Sequence, residues 1–455
     1  MLLTHTSGGR SYVATRAYAP RDEILSAPMT LHAPVWPCDP ALLSPTERLV
    51  LASPPPPPPA PAAPHDEAAA ALRACAASLL SYRALAVRAA LRLAAEPLAL
   101  VSLDDGWAHR PAAARAYLAA TAARLGEALG EAAVEVRTPL LEHCLGAILI
   151  NAFGEARREG GGEAERVGLC LAAAMVQHSC APNCEAVVRD AAVSIVATQP
   201  ISEGSELTIS YIDASEPTYS RQRLLWTGKL FRCRCVRCDD PTDGERFGGC
   251  FRCEACGRGW QRWTARDGWA CAACGGSASE AAVWRWDEAR RAELAALEER
   301  AADEGPSEAV REEYDGLIGT MLEACHPNHK LLLDARLSKV VHATEAHPST
   351  RAAAESKRLA AHAALTQAAR VLPTFDWQKA DLHFHLGAAS FAIAAAETAA
   401  DAKKEALDAA AKQLLLSVIQ FEAVLGQEAP PTRAARDFAA LAMRSLQTLL
   451  TQPAP

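Results

Sequence analysis

The chain has 455 residues, enough for two or three domains that each bury a core. Hydrophobic residues make up 50%, charged residues 22% and aromatics only 5%, the balance of a soluble protein with much alanine-rich helix. A formal net charge of -8 argues against a surface that grips nucleic-acid phosphates, and no uncharged apolar run reaches the roughly 18 to 20 residues of a membrane span.

In chain order, Met1-Leu2-Leu3-Thr4-His5-Thr6 lacks the pattern of a secretory signal. A cytoplasmic or nuclear protein with reduced cysteines is therefore expected. Arg10 to Thr15 and Glu23 to Ser26 read as short strands flanking the turn Pro20-Arg21-Asp22. The run Pro54 to Pro59, extended by Pro61 and Pro64, excludes helix and predicts a solvated linker over 52–66. Helical spacing returns over Glu67 to Ala95, Ala112 to Glu131 and Leu140 to Phe153, followed by the glycine-rich connection Glu159 to Glu163. Ala186 to Arg189 and Val193 to Ala197 read as a hairpin turning at Asp190 to Ala192, and Glu206 to Tyr211 as a further strand. From Trp284 onwards six or seven helices are expected, with breaks near Gly305, Pro327, Pro348, Pro373, 399–402 and Pro430.

Eight of the 15 cysteines fall within 231–276, a stretch too rich in Gly and Trp to build a large core by itself, so metal is expected to substitute. Cys253-Glu254-Ala255-Cys256 and Cys271-Ala272-Ala273-Cys274 are two C-x-x-C knuckles separated by fourteen residues. Two such turns present four thiolates to one Zn²⁺ in a closed tetrahedron, which is a structural site because no position is left for water. Cys250 is read as a bystander. Cys233-Arg234-Cys235-Val236-Arg237-Cys238 offers only three thiolates, and spacing leaves Cys180, Cys184 and Cys250 equally eligible as the fourth. Cys38, Cys75, Cys144, Cys170 and Cys325 read as buried small hydrophobes.

Taken together, Gly9-Arg10-Ser11-Tyr12, Asn151-Ala152-Phe153, Gln177-His178-Ser179-Cys180, Ile201 to Asp213 and Phe231 to Cys238 resemble the SET-and-MYND family of lysine methyltransferases. The resemblance is good over 1–35 and 140–240 and poor over 36–139. It implies an α+β fold: SET strands in 1–35, a Pro-rich linker and helical insertion in 36–139, a SET core in 140–230, a post-SET and zinc-ribbon region in 231–280, and an all-α TPR-like domain in 281–455. It also implies an S-adenosyl-L-methionine (AdoMet) pocket beside a pseudo-knot of the segments around Gln177 and Tyr211. Gly9, Arg10, Asn151, Gln177, His178, Tyr211 and Phe231 would hold the cofactor, and Tyr211 would be the catalytic tyrosine. By the same resemblance Cys180 completes a zinc site with Cys233, Cys235 and Cys238, making two structural Zn²⁺ in all.

The expected activity is AdoMet-dependent methylation of a lysine on a histone or other protein. The chain is expected to be a monomer whose helical C-terminal domain offers a surface for a protein partner, without membrane or nucleic acid. Three positions depart from the family pattern. Gln177 stands for Asn, Ser11 for the second Gly of the first motif, and Lys229 for the second channel tyrosine, which puts a cation where substrate lysine would pass or leaves Trp226 to form the wall. The MYND finger, which needs seven Cys and one His, is missing, because 36–139 contain only Cys38, Cys75, His65 and His109. These departures support a second reading, a catalytically weak SET-fold scaffold.

Overall fold

Alternating apolar residues in Ala192–Ala197 bury Val193, Ile195 and Ala197 on one face, as a strand with one face on a core requires. The computed structural model describes residues 1–6, 9–34, 44, 51, 72–78, 82–95, 103–129, 138–156, 164–264, 266–345 and 348–451. The Pro-rich run, the glycine-rich connection, Cys38 and His65 lie outside the described residues. Two units divide the chain, Met1–Ala214 with Ser220–Arg237, and Ser215–Tyr219 with Cys238–Pro455.

The first unit carries ten strands among its described residues. Strands β1 (Leu2–Thr6) and β2 (Gly9–Val13) form an antiparallel hairpin. Strand β3 (Glu23–Pro28) flanks Ala192–Ala197, which is β9, and β8 (Cys184–Arg189) flanks its other edge. Asp190 (φ 51°) and Ala191 (φ 58°) join β8 to β9, the two left-handed residues that a tight hairpin turn demands. Strands β4 (Leu31–Pro34), β5 (Ala152–Ala156) and β6 (Ala164–Leu169) make a second sheet with β6 central. Gly168 is obligatory there, because a Cβ would lie 2.6 Å from the Leu31 carbonyl.

Helices α1 (Arg83–Ala95), α2 (Ala112–Leu129) and α3 (Thr138–Asn151) pack on that sheet. Leu85, Val87, Leu118, Leu141, Leu145 and Ile148 share one core with Val167 and Leu169. The described part of the helical insertion is thus built into the same core as the strands that follow it. Two further short strands, β7 (Gln177–His178) and β10 (Thr208–Ile209), pair in parallel. The strand expected over Glu206 to Tyr211 is cut to two residues because Leu207 donates its N–H to Tyr12 O (2.8 Å) before the chain switches partner to β7.

In the second unit, β11 (Phe251–Arg252), β12 (Trp260–Thr264) and β13 (Gly268–Cys271) form an antiparallel sheet. Seven long helices follow among the described residues: α4 (Glu280–Glu304), α5 (Glu308–Ala324), α6 (Lys330–His342), α7 (Arg351–Val371), α8 (Trp377–Ala396), α9 (Ala400–Leu425) and α10 (Pro430–Thr451). Three of their starts are capped by hydroxyl or carboxylate side chains, Ser307 on Val310 N, Thr350 on Ala353 N and Asp376 on Gln378 N. The break expected near Pro430 falls at 426–429, between α9 and α10, and Pro430 opens α10, where a missing N–H costs nothing. The small sheet also has more apolar support than its composition suggested: Phe251 and Trp269 join Tyr219, Trp284, Leu297, Tyr314 and Leu331 in one core.

His329 sits in that region, fully buried, with Nδ1 accepting the Leu331 N–H at 3.3 Å to cap α6. Its Nε2 is buried with no partner among the described residues. Burial pulls the imidazole down from 6.5 to about 4, with Asp287 opposing. The unfolded chain therefore binds a proton across that window while the folded chain does not, so folding loses about 3 kcal/mol as pH falls through it. Replacing the residue in His329→Asn keeps a capping acceptor that cannot titrate. Urea unfolding is expected to show a flatter acid limb for this variant than for the parent, and equal slopes would contradict a buried neutral imidazole.

Candidate functional site

Four cysteine sulfurs meet at each of two places, Cys180/Cys233/Cys235/Cys238 and Cys253/Cys256/Cys271/Cys274, with all Sγ atoms of a group within 4.8 Å of one another. A tetrahedral Zn²⁺ with Zn–S near 2.3 Å sets its thiolates about 3.8 Å apart. The separations Cys253–Cys274 (3.7 Å), Cys256–Cys271 (3.9 Å) and Cys180–Cys233 (4.0 Å) fit that requirement. In the ribbon each knuckle closes on a left-handed glycine, with Gly257 N donating to Cys253 O and Gly275 N to Cys271 O. Backbone N–H groups of Arg258 and Gly259 pull the Cys256 thiol down to about 6, which favours the thiolate a metal needs.

Of the three candidates for the other group, the structure gathers Cys180. Cys184 instead points its thiol at Asn183 Oδ1 (3.4 Å), and burial pushes Cys250 up to about 12. Cys75, Cys144, Cys170 and Cys325 are buried, as expected. Two side chains that sequence reading passed over fix the ligand backbone. Gln222 donates to Cys233 O (2.7 Å) and accepts from Cys233 N (3.2 Å), while Arg237 donates to Cys180 O (2.7 Å) and Ala214 O (2.8 Å).

Beside this group the β7–β10 pair delivers the predicted site residues. His178 Nδ1 accepts the Tyr211 N–H at 3.0 Å, so Nε2 carries the ring proton and faces Cys180 Sγ at 3.2 Å. The His178 ring lies 5.2 Å from Tyr211 and 5.7 Å from Phe231, and Tyr211 and Phe231 stand edge to face at 6.4 Å. Burial pulls the His178 imidazole down to about 4 and pushes the Tyr211 phenol well up, so both are neutral. Tyr211 Oη donates to Val176 O at 2.6 Å, which leaves its oxygen lone pairs as acceptors. A third overlooked residue holds the loop: Asn183 donates to Glu206 O (2.8 Å) and accepts from Thr208 N (2.8 Å).

The other expected cofactor residues are placed differently. Asn151 ends α3 and gives its amide hydrogens to Asp104 O and Ala147 O, both at 2.9 Å, leaving Oδ1 as its free acceptor. Gln177 lies in β7 opposite Thr208, and Gly9 and Arg10 lie in β2 opposite Thr6 and His5. Ser11 is fully buried with a hydroxyl that has no partner among the described residues. Lys229, at the end of the π-helical turn Leu225–Lys229, directs Nζ to Ile150 O (2.6 Å) and lies 5.8 Å from the Tyr211 ring centre.

The family model described as "SET domain" matches residues 115–212, from within α2 through Ile212. Stretches of the chain are similar to SET-and-MYND proteins. "SET domain and MYND-type zinc finger protein 6" of Schizosaccharomyces pombe is 35% identical over 95 residues, 19% of this chain and 20% of that protein. "Histone-lysine N-methyltransferase ASHR1" of Arabidopsis thaliana is 38% identical over 74 residues, 16% of this chain and 15% of that protein. "Histone-lysine N-methyltransferase SMYD3" of Mus musculus is 36% identical over 72 residues, 16% and 17% respectively. The matched stretch thus spans about a fifth or less of these relatives.

Both four-cysteine groups are expected to hold zinc. Metal analysis of purified protein should give two zinc ions per chain, one of which disappears in Cys256→Ser while the other remains. Retention of both ions in that variant would contradict the ribbon site.

Proposed function

We propose that this chain is an AdoMet-dependent protein-lysine N-methyltransferase whose active centre is formed by Tyr211, His178 and Phe231. The observation that carries the reading is the meeting of these three rings beside a four-cysteine group, with His178, Tyr211 and Cys180 inside the SET match and Phe231 and the other three cysteines following it. The names of two relatives, both histone-lysine N-methyltransferases, support it.

Donors and acceptors suited to AdoMet support this reading. Asn151 Oδ1 can accept from its ammonium group, and the Phe231 ring offers an apolar face for adenine. Gly9 and Arg10 supply backbone on β2, and Gln177 with His178 supply backbone on β7, so the longer Gln177 side chain leaves that backbone contact intact. When bound, AdoMet supplies a methyl group on a positively charged sulfur. The protein's task is to orient and desolvate a neutral lysine amine. Tyr211 does this through oxygen lone pairs that accept an amine N–H, and its ring face favours cationic nitrogen.

The Cys180 group is a structural zinc site in this reading, since its four thiolates leave no open position. The net charge of -8 suits a basic peptide such as a histone tail, and a cytoplasmic or nuclear location follows from such a substrate. No described helix is long and apolar enough to cross a membrane. Nothing in the comparisons favours the scaffold alternative.

Isothermal titration and a peptide-array methylation assay test the proposal together. The parent protein and Tyr211→Phe should both bind AdoMet, while transfer to lysine falls about a hundredfold or more in the variant. Folded, zinc-loaded protein that binds no AdoMet, or full transfer by Tyr211→Phe, would overturn it.

A further inference from the structure

The Lys229 ammonium is the one group at this centre that the proposed chemistry does not use. It stands at the position that the resemblance gives to the second channel tyrosine, on the wall of the expected lysine channel. Its Nζ makes a hydrogen bond of 2.6 Å to Ile150 O and faces the Tyr211 ring from 5.8 Å. No acidic side chain is paired with it among the described residues, and burial alone pulls its pKa from 10.5 to about 8. Lys229 is half-buried, and a cation drawn even partly out of water without a counter-ion is costly.

The backbone carries a second sign of constraint at the same place. Leu230, the next residue, is held at φ 64° and ψ 30°, a left-handed conformation that costs a branched side chain about 1–2 kcal/mol. Its buried side chain is pinned in a space that only Gly106 leaves open, since a Cβ on Gly106 would sit 2.6 Å from Leu230 Cδ1 and 2.4 Å from Ile150 Cδ1. This reversal sends Lys229 and Phe231, on either side of Leu230, to the same cluster of rings. A π-helical turn immediately before it lengthens the reach of Lys229 by one residue.

We propose that Lys229 is a methyl acceptor in cis, its Nζ standing at the lysine position of the chain's own methyl-transfer centre. This inference rests on the methyltransferase reading above. In the step, the Lys229 ammonium first gives a proton to solvent, and the neutral amine then forms a nitrogen–carbon bond to the methyl group of AdoMet as the carbon–sulfur bond breaks. The sulfonium becomes the uncharged thioether of S-adenosylhomocysteine, and its positive charge passes to the nitrogen of the methylammonium product. The lowered proton affinity of Lys229 makes the neutral amine accessible near neutral pH. A mono- or dimethylated ammonium retains a proton for Ile150 O, whereas a trimethylated one has none, so the reaction stops before the third methyl group.

The test uses the full chain with AdoMet bearing a trideuterated methyl group, in three measurements: isothermal titration of AdoMet, peptide mapping by mass spectrometry, and the labelling rate on dilution of the protein. The expected result is AdoMet binding, one or two labelled methyl groups on Lys229, and a first-order rate constant unchanged by dilution. The Lys229→Arg variant should bind AdoMet and lose only that label. Binding with no label on Lys229, or with label there whose rate constant rises with protein concentration, would overturn the cis-acceptor assignment and leave the methyltransferase reading standing. Absence of AdoMet binding would overturn both.

Discussion

Two residues of parallel strand, Gln177–His178 against Thr208–Ile209, hold together everything this centre is built from. So short a ladder is not self-sustaining. Three side-chain devices make up the deficit. Asn183 bonds to Glu206 O and Thr208 N from within the loop that follows β7. His178 receives the Tyr211 N–H on one ring nitrogen and faces Cys180 Sγ with the other. Cys180 is gathered with Cys233, Cys235 and Cys238, so a metal ion there would tie β7 to the segment carrying Phe231. Each device crosses the short ladder, and each fails if the ladder separates.

The features read correctly from sequence were those encoded over short distances. The two C-x-x-C knuckles, the hairpin at Asp190–Ala191 and most helix limits follow from residue type and local spacing. The fourth thiolate of the other cysteine group was not readable that way, because Cys180 lies 53 residues from Cys233 and only the fold brings them together. Resemblance supplied that pairing. Asn183, Gln222 and Arg237 gave no local signal at all, since their role is to satisfy backbone groups of distant segments. The break near Pro430 was legible because a proline at a helix start closes off the helix before it.

Lys229 shows a different limit. In sequence it is a departure from a family pattern, a charge where an aromatic ring belongs. In the structure the same charge is half-buried against Ile150 O and the Tyr211 ring, positioned by a strained Leu230 that Gly106 accommodates. The second unit obeys simpler rules, with capped helices whose first members share an apolar core with Phe251 and Trp269 of the small sheet. Its cysteine group therefore shares the task of holding the sheet with ordinary burial, whereas the Cys180 group supports a pair of strands too short to stand alone.

Amide hydrogen exchange in Cys235→Ser tests that dependence most directly. The N–H groups to follow are Ser179, bonded to Ile209 O at 3.0 Å, and Tyr211, bonded to His178 Nδ1 at 3.0 Å. If the four-cysteine group sustains the β7–β10 pair, both lose protection together while Cys253 and Cys271 N–H groups in the ribbon are unchanged. Full protection at Ser179 and Tyr211 in the variant would show that the pair stands without the cysteine group, and would contradict the account.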